Sequence, residues 1–135
     1  MGSEKMEIEW SINQKQGFVH LKYNGNPDFE HWAEVMTEIF SHADFKSGIG
    51  FVADLTESEA PDADHLKSVK DFLISHKEKL KGARWANITA QRPVHYGITR
   101  MAQVYIEDLP WQLNAFLSEK EAIEWATEPV KKKVH

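Results

Sequence analysis

Cysteine is absent from the 135 residues, which removes a disulfide framework, a thiolate zinc site and a cysteine nucleophile together. No apolar run approaches the ~20 residues needed to cross a bilayer. The opening residues, Met1 to Glu7, hold no apolar stretch of the kind a secretory signal carries, so cytoplasm is the expected compartment. Positive charge is in short supply: 16 Lys+Arg stand against 21 Asp+Glu, a net charge of −5. Nucleic acid or an anionic membrane would want clustered cations instead. Lys131, Lys132 and Lys133 form a small basic group, but stable surface anchoring wants more charge or a second signal. Residues 128–135 therefore read as a solvated basic tail. Gly-x-Gly-x-x-Gly, a P-loop and Gly-x-Ser-x-Gly are all missing, which leaves nucleotide cradling and a hydrolase elbow without support.

What is present suits a self-sufficient fold. The length argues for one domain, and a domain of this size buries roughly two-thirds of the surface its unfolded chain exposes. Neither metal nor disulfide is needed. Residues 1–6 read as a disordered lead-in and residues 7–127 as the single domain. Glu7-Ile8-Glu9-Trp10-Ser11-Ile12 alternates charged or polar with apolar residues, the period of a half-buried strand. Gly17 to Tyr23 does the same after a polar turn, so the two segments make a β-hairpin. Asn26-Pro27 supplies an N-cap and a first-turn proline for a helix carrying Phe29, Trp32, Met36, Ile39 and Phe40. The apolar run 49–55 is short enough for a strand buried on both faces.

An acidic loop, Glu57-Ser58-Glu59-Ala60-Pro61-Asp62, precedes a second helix that carries Leu66, Val69, Phe72, Leu73 and Leu80 and stops near Gly82. Its carboxylates favour the helix start, and Lys77, Lys79 and Lys81 favour its end. A further interior-type strand spans 83–89. Pro93 opens a third helix with Val94, Ile98, Met101, Ala102 and Tyr105 on one face. Residues 112–117 make the last strand, and Ser118-Glu119-Lys120-Glu121 is a capping box for a short closing helix. The order β-β-α-β-α-β-α-β-α predicts an α/β fold of about four helices and a five-stranded mixed sheet, parallel except for the first hairpin.

Two segments repeat at an offset of 34: Glu30-His31-Trp32 to His42 lies over Asp64-His65-Leu66 to His76, and Gly48 over Gly82. We read them as two similar αβ units of one sheet. The paired histidines do not make a metal site. His31 and His42 share a helix face but sit ~16 Å apart at ~1.5 Å per residue, as do His65 and His76. Chelation from one helix needs spacings of three or four. His42 and His76 instead mark helix C-termini, where a protonated ring meets the dipole favourably.

In a parallel sheet, ligands sit beyond the carboxyl ends of the strands. That edge carries Asp54 and Thr56 after one strand and Arg92 after the next, with His95 and Tyr96 opening the third helix. Arg92 and the free amides of the helix start suit a small anion. The same residues also suit a self-satisfied set of caps, with Asp54 paired to Arg92 and Thr56 closing a turn. Asp54 with His95 lacks an evident nucleophile, which makes an enzyme the third choice. Of the five tryptophans, Trp111 after Pro110 and Trp125 on the last helix are expected at an exposed groove or partner contact.

Phe51-Val52-Ala53-Asp54-Leu55, followed by an acidic loop into a helix, and the ending Ala115 to Trp125 resemble the SpoIIAA-like family, small bacterial proteins related to STAS domains and, at fold level, to CRAL-TRIO lipid carriers. The resemblance covers about residues 8–125. It implies a βα superhelix, no catalytic residues and no cofactor. STAS domains switch partners through a phosphorylatable serine at the start of the helix after the Asp-Leu strand. Ala60-Pro61-Asp62-Ala63-Asp64-His65 stands there in this chain, without that serine, so the phospho-switch is not carried over. The expected function is a non-enzymatic binding or regulatory module for a protein partner or small ligand. Its alternative is a carrier holding a small amphipathic or anionic ligand between the third helix and the sheet. A hairpin edge and exposed aromatics offer a surface for a homodimer.

Overall fold

The alternating pattern at the start of the chain becomes a hairpin of β1 (Glu7–Asn13) and β2 (Phe18–Gly25) in the computed structural model, which describes residues 6–128. Ile8, Trp10 and Ile12 pair opposite Tyr23, Leu21 and Val19. One face of the hairpin is thereby apolar, and Glu7, Glu9 and Ser11 fall on the other. Three parallel strands follow, β3 (Gly50–Ser58), β4 (Arg84–Ile88) and β5 (Gln112–Phe116), in the sheet order β1-β2-β3-β4-β5. The expected mixed five-stranded sheet is the one observed.

The pleat sorts β3 and β4 onto two faces. Phe51 and Trp85 stack with ring centroids 4.4 Å apart on the first face, while Val52, Ala86 and Ile88 turn to the second. The second face is covered by one short helix, α5 (Glu119–Thr127). It is capped by Ser118, whose hydroxyl accepts from Glu121 N. Gly50 is required where β3 passes under α5, because a Cβ there would collide with the Ala126 carbonyl.

The first face is covered by α1 (Phe29–Ser41), α2 (Ala63–Ser75), the single turn α3 (Lys77–Leu80) and α4 (Pro93–Tyr105). Helix α1 buries Trp32, Val35, Met36, Ile39 and Phe40, the expected stripe. Its N-cap is Asp28, which accepts from His31 N, and not Asn26. The run Asn26-Pro27-Asp28 offers two capping residues, and the helix begins directly after the second. The expected helix through Leu80 divides at His76, giving five helices among the described residues where about four were expected. His76 caps α2 by donating Nδ1–H to Phe72 O (2.8 Å), and its ring stacks on Phe72 at 4.2 Å. Those contacts turn the chain before α3. The offset of 34 is visible as two αβ units whose glycines, Gly48 and Gly82, both adopt positive φ ahead of a strand.

Packing around Phe72 joins α2 to α1: its ring meets Trp32 edge-on at 5.2 Å and Phe40 face-on at 6.3 Å. Helix α2 nevertheless has no fully buried residue. It leans on α1 and leaves a gap toward α4. Gly50→Ala should cost about 3 kcal/mol by driving β3 from α5, whereas Gly82→Ala, with open space at its Cβ, should cost only about 1 kcal/mol of backbone strain. Urea unfolding of the two variants measures both, and equal losses would contradict the close approach at Gly50.

Candidate functional site

At the carboxyl ends of β3 and β4 the residues expected to form one site are divided between two faces. Asp54 is in register with Ile88, on the α5 side of the sheet. Its Oδ1 accepts from Thr56 N (2.9 Å) and Thr56 Oγ1 (2.6 Å), a closed local turn. The expected Asp54–Arg92 pairing is not among the ion pairs of the described residues. Arg92 instead donates from Nη1 to three carbonyls at the exit of β3, those of Leu55 (3.0 Å), Thr56 (3.1 Å) and Ser58 (2.6 Å). The loop that aims it contains Ala90 at φ +48, a strained conformation for a residue with a Cβ.

His95, one turn into α4, donates from Nε2 to the same Ser58 carbonyl at 2.9 Å. A carbonyl only accepts, so the ring proton of the neutral imidazole resides on Nε2 and Nδ1 carries a lone pair. Nδ1 is buried and has no hydrogen-bond partner among the described residues; His95 as a whole is 4% exposed. Burial, followed by the charge of Arg92, holds the His95 pKa below its usual 6.5, against the Ser58 carbonyl and Glu59. His95 thus lies on the face opposite Asp54, and the Asp54–His95 pair an enzyme would need is not assembled. Tyr96 is 48% exposed on the outside of α4.

The gap between α2, α4 and the sheet is a cavity of about 440 Å³, mostly apolar in lining. Leu66, Val69 and Leu73 of α2 form one wall, and Ile98 and Ala102 of α4 with its C-cap Ile106 form the other. Tyr23, Leu55 and Trp85 make the floor. Trp111 also lines it, and here the structure corrects the sequence reading: Trp111 is 5% exposed and is no surface contact. Pairing with β4 begins before β5 itself, since Gly82 N donates to Pro110 O (2.7 Å) and Gln112 N to Ala83 O (3.0 Å). Two residues ahead of Leu113, Trp111 shares its face and turns inward. Trp125 is half-buried, packed on Phe116 at 5.4 Å and beneath the Arg84 guanidinium.

A directed chain of hydrogen bonds crosses the apolar lining. Trp85 Nε1 donates to Asn87 Oδ1 (3.1 Å), Asn87 Nδ2 to Thr99 Oγ1 (3.1 Å), and Thr99 Oγ1 to His95 O (3.0 Å). Asn87 and Thr99 went unremarked in the sequence. Their signal was a polar residue inside the strand Arg84-Trp85-Ala86-Asn87-Ile88 and another on the inner face of a helix, each needing a partner once buried. Lys67, Lys70, Glu59 and His65 stand at the rim. Burial lowers the pKa of His65 too, against Asp62 and Asp28. Among the described residues no group of three or more metal-ligating side chains gathers, and no helix is long and apolar enough to cross a membrane.

This arrangement of strands and helices is a SpoIIAA-like fold. The chain is similar to an uncharacterised DUF3478-family protein of SpoIIAA-like fold from Shewanella loihica, at 19% identity and TM-score 0.67, over 93% of this chain and 98% of that one. It is also similar to an anti-sigma factor antagonist from Mycobacterium paratuberculosis, at 13% identity and TM-score 0.60, over 90% and 94% of the two chains. No protein-family model matches the sequence, and no curated protein matches it.

His65 and His95 both have folded pKa values below the ordinary 6.5, so the unfolded chain takes up protons first as pH falls. Their contribution to stability is complete above about pH 6.5 and shrinks as the pH drops below it toward the folded values. Urea midpoints should fall between about pH 7.5 and about pH 5.5. His95→Gln, which keeps a donor for Ser58 O, should flatten that dependence; an unchanged slope would contradict the depressed His95 pKa.

Proposed function

We propose that this protein is a non-enzymatic binding module that takes one small, largely apolar molecule between α2, α4 and the sheet. The cavity carries this reading. Protein interiors pack as densely as organic crystals and leave few voids larger than a water, whereas about 440 Å³ falls within the usual range for small-molecule sites. Its apolar lining with a few convergent polar groups is the usual make-up of such sites. The pair an enzyme would use is not brought together: Asp54 bonds Thr56 on one face, and His95 bonds the Ser58 carbonyl on the other, while Arg92 is turned to backbone carbonyls. The pocket therefore favours retention over reaction.

The apolar dye N-phenylnaphthylamine should bind the purified protein saturably and one to one. Ala102→Trp, which fills the cavity from α4, should abolish binding without lowering the thermal midpoint. Unsaturable dye uptake, or uptake indifferent to Ala102→Trp, would contradict the reading.

A second reading rests on the outer face of α4. Val94 and Val104 are 61% and 64% exposed, and Met101 stands beside them with Gly97 between. Such a stripe suits a protein partner, and the likeness to an anti-sigma factor antagonist is consistent with one. A second copy crossing at Gly97 is one such partner; edge pairing at β5 is obstructed, since Gln103 Nε2 donates to Leu113 O (2.6 Å) and Asn114 Oδ1 accepts from Ala115 N. Sedimentation should then show a dimer that dissociates in Val104→Lys; a monomeric wild-type chain would exclude this partner.

A further inference from the structure

Strand β4 puts one polar side chain on the cavity floor, and only half of its hydrogen-bonding capacity is used. Asn87 is in register with Ala53 on β3 and Ala115 on β5, so the side chain opposite it on either strand is a single methyl group. Its backbone is enclosed between those strands, yet Asn87 is half-buried while Trp85, Ala86 and Ile88 around it are buried. The exposed part is therefore the side chain, and Asn87 lines the cavity. Beyond Cβ that side chain is nothing but the amide.

Trp85 fixes which way the amide is turned. An indole nitrogen only donates, so the atom it meets at 3.1 Å is Oδ1. Thr99 Oγ1 takes one Nδ2 proton at 3.1 Å and gives its own proton to His95 O. An amide offers two lone pairs and two N–H groups. One lone pair on Oδ1 and one proton on Nδ2 thus have no partner among the described residues. Within an apolar lining such unused capacity is costly unless a ligand or water meets it. We propose that the molecule held in the cavity is an apolar body carrying one neutral amide, whose carbonyl accepts from Asn87 Nδ2 and whose N–H donates to Asn87 Oδ1. A carboxylate has no proton for Oδ1 and loses its hydration against an apolar wall.

This inference deepens the proposed function and rests on the cavity being a ligand site. N-phenylnaphthylamine bound to the intact protein is displaced at neutral pH with octanamide, methyl octanoate or octanoate. The amide donates and accepts, the ester only accepts, and octanoate is an anion suited to Lys67 at the rim. The ester is more apolar than the amide, so partition into an unspecific apolar space would favour the ester.

Octanamide should displace the dye at about tenfold lower concentration than methyl octanoate, the equivalent of one buried hydrogen bond, and ahead of octanoate. In Asn87→Val, which suits an interior strand, the order of amide and ester should reverse. An ester that matches the amide in the wild type, tighter binding of octanoate, or an amide preference that survives in Asn87→Val would overturn the head-group assignment while leaving the cavity as a site. A dye that does not bind the wild type would overturn the cavity reading itself, and the assignment with it. The wild-type series decides the question even if Asn87→Val does not fold.

Discussion

Arg92, the N-cap of α4, and His95 in its first turn converge on one carbonyl oxygen, and the site is built outward from that joint. Ser58 O has two lone pairs, and it receives Arg92 Nη1 and His95 Nε2. The bonds fasten the start of α4 to the exit of β3. At the far end of α4, Gln103 reaches Leu113 O on β5. Held at both ends, the helix spans the floor between the two strands without filling it. The same joint fixes the histidine tautomer, so the mechanical anchor of the helix also decides which ring nitrogen carries the proton.

A space of this size weakens a small fold, because its lining lacks the dispersion contacts a filled core would supply. The compensation lies to one side. Phe72, Trp32, Phe40 and His76 form a stacked and edge-on cluster that fastens α2 to α1. Helix α2 therefore keeps its place without burying a residue completely. A ligand that occupies the space in the folded state alone adds stability in proportion to the logarithm of its concentration over its dissociation constant. Binding and stability are coupled through the same residues.

Much of the fold was legible because it depends on local pattern. The alternation of Glu7 to Ile12, the stripe from Trp32 to Phe40 and the Ser118 cap each act within a few residues of themselves. The break at His76 depends on a ring stacking on Phe72 and Phe40, the latter on another helix, and periodicity does not report that. Trp111 looked exposed because it follows a proline, yet backbone pairing to Gly82 and Ala83 turns it inward. At the site, Arg92 and His95 were visible as residues near a strand exit. Asp54 was grouped with them because sequence proximity to an edge does not say which face a side chain takes. The cavity was least legible, since a volume left between α2 and α4 belongs to no residue. Its trace in the sequence was a pair of inward-facing polar residues, the half-buried Asn87 and the buried Thr99.

The central claim is that His95 is held with its proton on Nε2 and a bare Nδ1 facing no protein donor. Heteronuclear NMR of the imidazole nitrogens reads this directly. At neutral pH the account predicts a protonated Nε2 and an unprotonated Nδ1. A proton found on Nδ1 would contradict it.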